Sequence, residues 1–171
     1  MTALSSRRSL IITVLILGAG AAGYVVWTGG GKARREALDA QDLLRGTEEA
    51  TLRFFKLDPM TGLRPEGRKG ATFQDWTILQ ETVLRNPKDE EEIRDILTSS
   101  GTYADSAPRC FEPGMGLRFK NDGKQVDLVI CLSCSWIYAF EGSRTLHLPL
   151  SARGVNRLMA FYKSHAGPQK S

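Results

Sequence analysis

Leu117-Arg118-Phe119-Lys120-Asn121-Asp122-Gly123-Lys124-Gln125-Val126-Asp127-Leu128-Val129-Ile130-Cys131-Leu132 is the stretch whose reading decides the fold. Two strand-like runs, Leu117 to Lys120 and Gln125 to Leu132, flank Asn121-Asp122-Gly123. Branched and apolar residues suit an extended, half-buried backbone. Asp-Gly supplies the positive φ values that tight turns need, so the stretch reads as a β-hairpin. Downstream, Trp136 to Phe140 and Thr145 to Leu148 read as further strands around a Glu141-Gly142-Ser143 turn. Ser151 then caps a final helix, where Val155, Leu158, Met159 and Tyr162 recur at helical spacing.

Upstream of the hairpin, Asn86-Pro87 followed by Asp89, Glu90, Glu91 and Glu92 marks a helix start. Asn caps free amides, proline is preformed for the first turn, and acids favour the positive end of the helix dipole. Ile93, Ile96 and Leu97 supply that helix with its buried face. Ser99 to Pro108 and Asp58 to Gly70 read as loops. Ala50 to Leu57 reads as a strand. Phe73 to Leu84, alternating imperfectly through Trp76, Ile78 and Val83, reads as a second strand hairpin-paired with it. Lys32 to Arg45 holds strong helix formers and ends at Gly46. The natural packing solution is an α+β domain: an antiparallel sheet, hairpin and meander at its heart, covered by helices on one face, the C-terminal helix included. The expected organisation is an N-terminal segment over 1–31 that ends in the joint Gly29-Gly30-Gly31, one domain over 32–165, and a flexible tail over 166–171.

Hydrophobic residues make up 42% of the 171 and charged residues 25%, the balance of a folded chain. The formal charge of +4 includes Arg7 and Arg8 of the N-terminal segment. Without them 21 basic residues face 19 acidic ones, a net +2. Phosphate binding needs a clustered basic face. The nearest grouping, Arg64, Arg68 and Lys69, is broken by Glu66 in a Pro/Gly-rich loop. No nucleic-acid partner is expected, and no small-molecule ligand can be named.

Leu10 to Trp27 runs without a charge behind Arg7 and Arg8. Its eighteen residues span about 27 Å as a helix at ~1.5 Å per residue, close to the ~30 Å of bilayer hydrocarbon. Two fates fit: an uncleaved transmembrane anchor, with Trp27 at the interface, or a signal peptide cut near Ala19-Gly20-Ala21. The anchor is preferred because Tyr24-Val25-Val26-Trp27 prolongs the apolar run. The domain is then expected to face the periplasm or exterior from the inner membrane; after cleavage it would be secreted or periplasmic. Ser6-Arg7-Arg8-Ser9-Leu10 resembles the opening of a twin-arginine export signal but lacks the usual phenylalanine and trailing lysine, so an ordinary basic n-region suffices.

Gly18-Ala19-Gly20-Ala21-Ala22-Gly23 also satisfies G-x-G-x-x-G. A dinucleotide fold requires a helix after the glycines and then a second strand ending in an acid. Here Gly29-Gly30-Gly31 breaks the chain after Tyr24 to Thr28, and a charged, helix-like stretch follows. The export reading stands. Gly31-Lys32-Ala33 is no phosphate loop, since Val26 occupies the first glycine position.

Three cysteines hold the chain's chemical possibilities. Cys131 and Cys134 form C-x-x-C, and Cys110 precedes the hairpin. Catalytic exchange of the thioredoxin kind needs a helix start after the pair, but Ser135 to Phe140 reads as a strand. Zinc would need four ligands, and Cys110, Cys131, Cys134 and His147 are the weak candidates. The preferred reading is a structural disulfide, for example Cys110 with Cys131 or with Cys134, which leaves the third cysteine buried. No cofactor is expected beyond that zinc alternative. His147, in Leu-His-Leu, reads as a hydrogen-bonded packing residue, and His165 lies near a fraying tail. Asp89 to Glu92 is a helix-start cluster, not a calcium loop. Trp76, Trp136 and Tyr138 read as core or edge aromatics.

Cys110-Phe111-Glu112-Pro113, then Leu117-Arg118-Phe119, then Val129-Ile130-Cys131-Leu132-Ser133-Cys134 resembles a pattern in uncharacterised exported bacterial proteins. Those proteins carry C-F-x-P before one strand and C-F-x-C after the next. The resemblance covers residues 110–140 and implies an extracytoplasmic setting without an established activity. Such proteins often place a histidine near the position of Met115, and its absence here weighs against a metal role. No G-x-S-x-G, H-E-x-x-H or kinase signature occurs. The expectation is therefore a membrane-anchored or exported accessory or interaction domain, not an enzyme, with a protein partner in the envelope. The alternative is a thiol-redox or metal-binding protein using Cys110, Cys131 and Cys134.

Overall fold

A computed structural model describes residues 31–60, 70–107, 110 and 112–167. The export segment Leu10 to Trp27 and the basic loop residues Arg64, Arg68 and Lys69 lie outside the described residues. The chain divides into two units, Met1–Lys32 and Ala33–Ser171, and the fold is that of the second. Its helices are α1 (Gly31–Leu44), α2 (Pro87–Thr98) and α3 (Ala152–His165). Its strands are β1 (Thr51–Leu57), β2 (Thr72–Phe73), β3 (Trp76–Leu84), β4 (Met115–Lys120), β5 (Gln125–Cys131), β6 (Trp136–Glu141) and β7 (Arg144–Pro149).

The seven strands make one curled antiparallel sheet in the order β2-β3-β1-β4-β5-β6-β7. All three helices lie on one face, as the pattern of apolar residues requires. On that face Leu52, Phe54, Leu117, Phe119, Leu128 and Ile130 meet Leu43 of α1, Ile96 of α2 and Phe161 of α3. The opposite face carries a smaller apolar cluster of Phe55, Leu57, Phe73 and Val129, with Trp76, Ile78, Tyr138 and Phe140 at its margin. The imperfect alternation of Phe73 to Leu84 has two causes. Phe73↔Trp76 closes a short hairpin around Gln74 and Asp75, and a register shift opposite Lys56 and Leu57 makes Leu79 an extra residue. That bulge leaves Leu79 exposed and turns Ile78 towards the second cluster.

Two turns depart from the sequence expectation. The β4–β5 hairpin forms, yet Asp122 and Gly123 do not take positive φ. Lys120↔Gln125 leaves a four-residue loop, in which the Asn121 side chain accepts from Gly123 N at 3.1 Å and Lys124 N at 2.8 Å. An Asn-led turn with four loop residues does not need the left-handed region. The left-handed pair instead occupies Gln74 (φ +46°) and Asp75 (φ +75°).

Close approach explains two glycines. A Cβ on Gly116 would stand 2.7 Å from Phe73 Cε1, because β2 folds Phe73 over β4. Gly116→Ala is expected to cost about 2 kcal/mol in urea unfolding, and Phe73→Leu in the same chain should recover most of it. At the start of α3, Ser151 Oγ accepts from Gly154 N at 3.0 Å and donates to Gly101 O at 2.6 Å. This presses the helix onto the Ser100–Thr102 turn. A Cβ on Gly154 would lie 2.2 Å from Thr102 O. Backbone cannot swing aside as a side chain can, so Gly154→Ala should cost about 2–3 kcal/mol without rescue from any side-chain truncation.

His165, read as lying near a fraying tail, is held in the last turn of a closed helix. Helix α3 runs through it, Ala166 N donates to Tyr162 O at 2.8 Å, and Gly167 follows at φ +65°. Its Nε2 lies 3.3 Å from Asp89 Oδ2 and its ring stacks on Phe161 at 4.3 Å. The reason is a left-handed glycine stop just beyond the helix, which holds the last turn closed.

Candidate functional site

The three cysteines meet at one corner of the sheet. Cys110 is exposed and precedes β4, Cys131 ends β5, and Cys134 sits in the turn leading to β6. Ser135, at φ +58°, completes that turn. Cys110 and Cys134 form the disulfide, with their Cα atoms 5.5 Å apart, inside the usual range for such a bond. Cys131 is the free thiol and is fully buried.

Polar groups surround the Cys131 sulfur. The backbone N–H of Cys134 donates to it at 3.2 Å and that of Glu112 at 3.3 Å. Its own S–H reaches Glu112 O at 3.3 Å, and the Ser133 hydroxyl lies 3.4 Å away. That same hydroxyl is 3.8 Å from Cys134 Sγ. The free thiol therefore sits between the chain segments that carry the two bonded cysteines. The C-x-x-C pair itself is not bonded, because Cys134 turns towards Cys110.

His147, the fourth candidate for zinc, is exposed on β7, with its ring 4.2 Å from that of Tyr138 opposite. It packs by ring contact at the surface and not as a buried hydrogen-bonded histidine. Among the described residues no group of three or more His, Cys, Asp or Glu side chains converges as metal ligands. Trp76 and Tyr138 are half-buried at the margin of the second apolar cluster.

Next to that cluster lies a charged network that reading the sequence did not foresee. Asp127 is 2% exposed in the middle of β5. Arg118, directly opposite in the β4–β5 register, grips it with Nε and Nη2, both at 2.7 Å. Gln74 Nε2 donates to Asp127 at 2.8 Å and Gln125 Nε2 at 3.2 Å. Donating to the Asp127 carboxylate raises the Arg118 pKa above its ordinary value and holds the guanidinium charged. The same guanidinium lies 5.1 Å from the Phe73 ring centre and 5.7 Å from that of Phe55. The available signal was a single acid inside the apolar run Val126 to Ile130, paired by hairpin register with the single cation of β4's interior.

A shallow polar groove of about 860 Å³ opens where the loop after α1 meets the β4–β5 turn. Arg53, Lys120 and Lys124 line it, opposed by Glu49 and Asp122. Arg53 pairs with Glu81 at 2.5 Å and Lys124 with Glu141 at 2.7 Å, while Lys124 also donates to Arg45 O at 2.9 Å. These cations tie strands and helix together. Tyr103, buried beneath α2, donates its hydroxyl to Leu97 O, and burial pushes its pKa up.

No protein-family model matches the chain, and no curated protein sequence matches it. Among solved structures, a Clostridium perfringens protein designated a candidate lipoprotein aligns with a TM-score of 0.47 at 10% identity, over 80% of this chain and 98% of that one. A likeness so distant bears on neither activity nor site residues. Among the described residues no helix is long and apolar enough to cross a membrane.

Proposed function

We propose that the chain is an exported accessory domain, held at the outer face of the inner membrane by Leu10 to Trp27, that binds a protein partner in the envelope. The observation that carries this reading is the Cys110–Cys134 disulfide. Stable disulfides persist in oxidising compartments, where an export segment delivers a chain. The resemblance of residues 110–140 to exported bacterial proteins supports the same setting. The pairing of the described polar groups with one another supports an interaction role over catalysis. Asp127 is consumed by Arg118, and His165 by Asp89. Zinc finds little support: with Cys110 and Cys134 bonded, Cys131 and His147 fall short of a four-ligand set.

Protease treatment of intact spheroplasts expressing the full chain tests this reading. The domain should be digested while the chain sediments with membranes at its uncleaved mass. A protease-protected chain whose cysteines are all reduced would overturn it. A soluble periplasmic form beginning near Ala21 would replace the anchor with a cleaved signal.

A further inference from the structure

Burial alone does not explain the environment of Cys131. A thiol held only for packing would sit among apolar side chains, as free cysteines commonly do. This one has two backbone N–H donors aimed at its sulfur, one of them from Cys134, a member of the neighbouring disulfide. The nucleophile in thiol–disulfide exchange is the thiolate, and such donors stabilise charge developing on sulfur. The Ser133 hydroxyl is shared by Cys131 and Cys134.

We propose that Cys131 is the internal nucleophile of a disulfide exchange within this corner. Cys131 gives up its proton to water, and its sulfur attacks Cys134 Sγ. The Cys131–Cys134 bond forms and the Cys110–Cys134 bond breaks. Cys110 leaves as a thiolate and takes up a proton. One thiol and one disulfide stand on each side, so no oxidant or reductant is required. The exchange moves the free thiol from a fully buried position on β5 to the exposed position 110. There it can form a mixed disulfide with a disulfide-bearing partner, one sulfur of which bonds to Cys110 while the other departs as a thiol. The C-x-x-C spacing brings the new pair together across a single turn. The corner is thus a covalent attachment site gated by an internal thiol.

Alkylation with N-ethylmaleimide, followed by unreduced tryptic mapping, tests the exchange on the full oxidised chain. Cleavage after Arg109, Arg118, Lys124 and Arg144 puts Cys110 in one peptide and Cys131 with Cys134 in another. With time, the Cys110 peptide should gain maleimide while the other peptide gains an internal loop. Cys131→Ser should slow Cys110 labelling by at least about tenfold and keep the two peptides cross-linked. In Cys110→Ser, oxidised glutathione should close Cys131–Cys134 in the folded protein. A wild-type cross-link that never yields labelled Cys110 would overturn the proposal, as would two persistently free thiols in Cys110→Ser. Either result leaves the exported reading untouched, whereas three free thiols in the starting protein would overturn both.

Discussion

Asp127→Ala is expected to destabilise the domain by about 3 kcal/mol, the lower end of the cost of removing one member of a buried charge pair, because the Arg118 left behind is 28% exposed. The carboxylate is 2% exposed and accepts from Arg118 through two nitrogens and from Gln74 and Gln125 through one each. Truncation leaves the Arg118 guanidinium, which lies against the Phe73 ring, without its carboxylate. Gln74 also loses the partner that compensates its left-handed backbone at φ +46°, so the β2–β3 hairpin should loosen first. Hydrogen exchange at residues 72–77 would report that loosening, and urea unfolding would give the total. Arg118→Met alone should be similarly damaging, because it leaves the carboxylate buried without its cation. The Asp127→Ala, Arg118→Met double variant should lose less than the sum of the two single changes. A loss below about 1 kcal/mol for Asp127→Ala would mean that water already reaches the pair.

Cys134→Ser is expected to cost about 3 kcal/mol through loss of a cross-link that closes a 24-residue separation. For a domain of this size the melting temperature should fall by about 10 °C. Treating the wild-type protein with reductant should produce the same fall, and treating Cys134→Ser should produce no further one. That pairing of experiments separates loss of the bond from damage done by serine itself. Cys131→Ser, whose thiol is outside the bond, should shift the melting temperature far less.

Much of the fold was legible because local chemistry and burial agreed. The Asn86 cap with Pro87 begins α2 and the Ser151 cap begins α3; Ile93, Ile96, Leu97, Val155, Leu158 and Tyr162 pack where their spacing pointed, whereas Phe161 and not Met159 completes the buried face of α3. The β4–β5 hairpin was legible from its two runs, although not its turn. Asn121 was read only as a flank of Asp-Gly, whereas its side chain closes the loop. The bulge at Leu79 was illegible, since a strand that changes face once looks like poor alternation. The packing of His165 was illegible because Ala166-Gly167-Pro168 went unread as a glycine stop followed by a proline.

The cysteine corner was legible in part. Sequence spacing nominates three cysteines but cannot choose their pairing. The choice of Cys134 over Cys131 as the partner of Cys110 is made by the turn at Ser135 and by the approach of Glu112 to β5, both tertiary facts. Arg118 and Asp127 were legible only once the hairpin register had been fixed, because cross-strand pairing is a property of two strands together.

Thiol titration of the unfolded, unreduced protein taken directly from the cell envelope weighs most heavily on this picture. One reactive thiol per chain, mapping to Cys131 at the moment of unfolding or to Cys110 once exchange has run, is the expected count. Three reactive thiols would contradict it, leaving a reduced chain with neither the cross-link nor the oxidising compartment inferred from it.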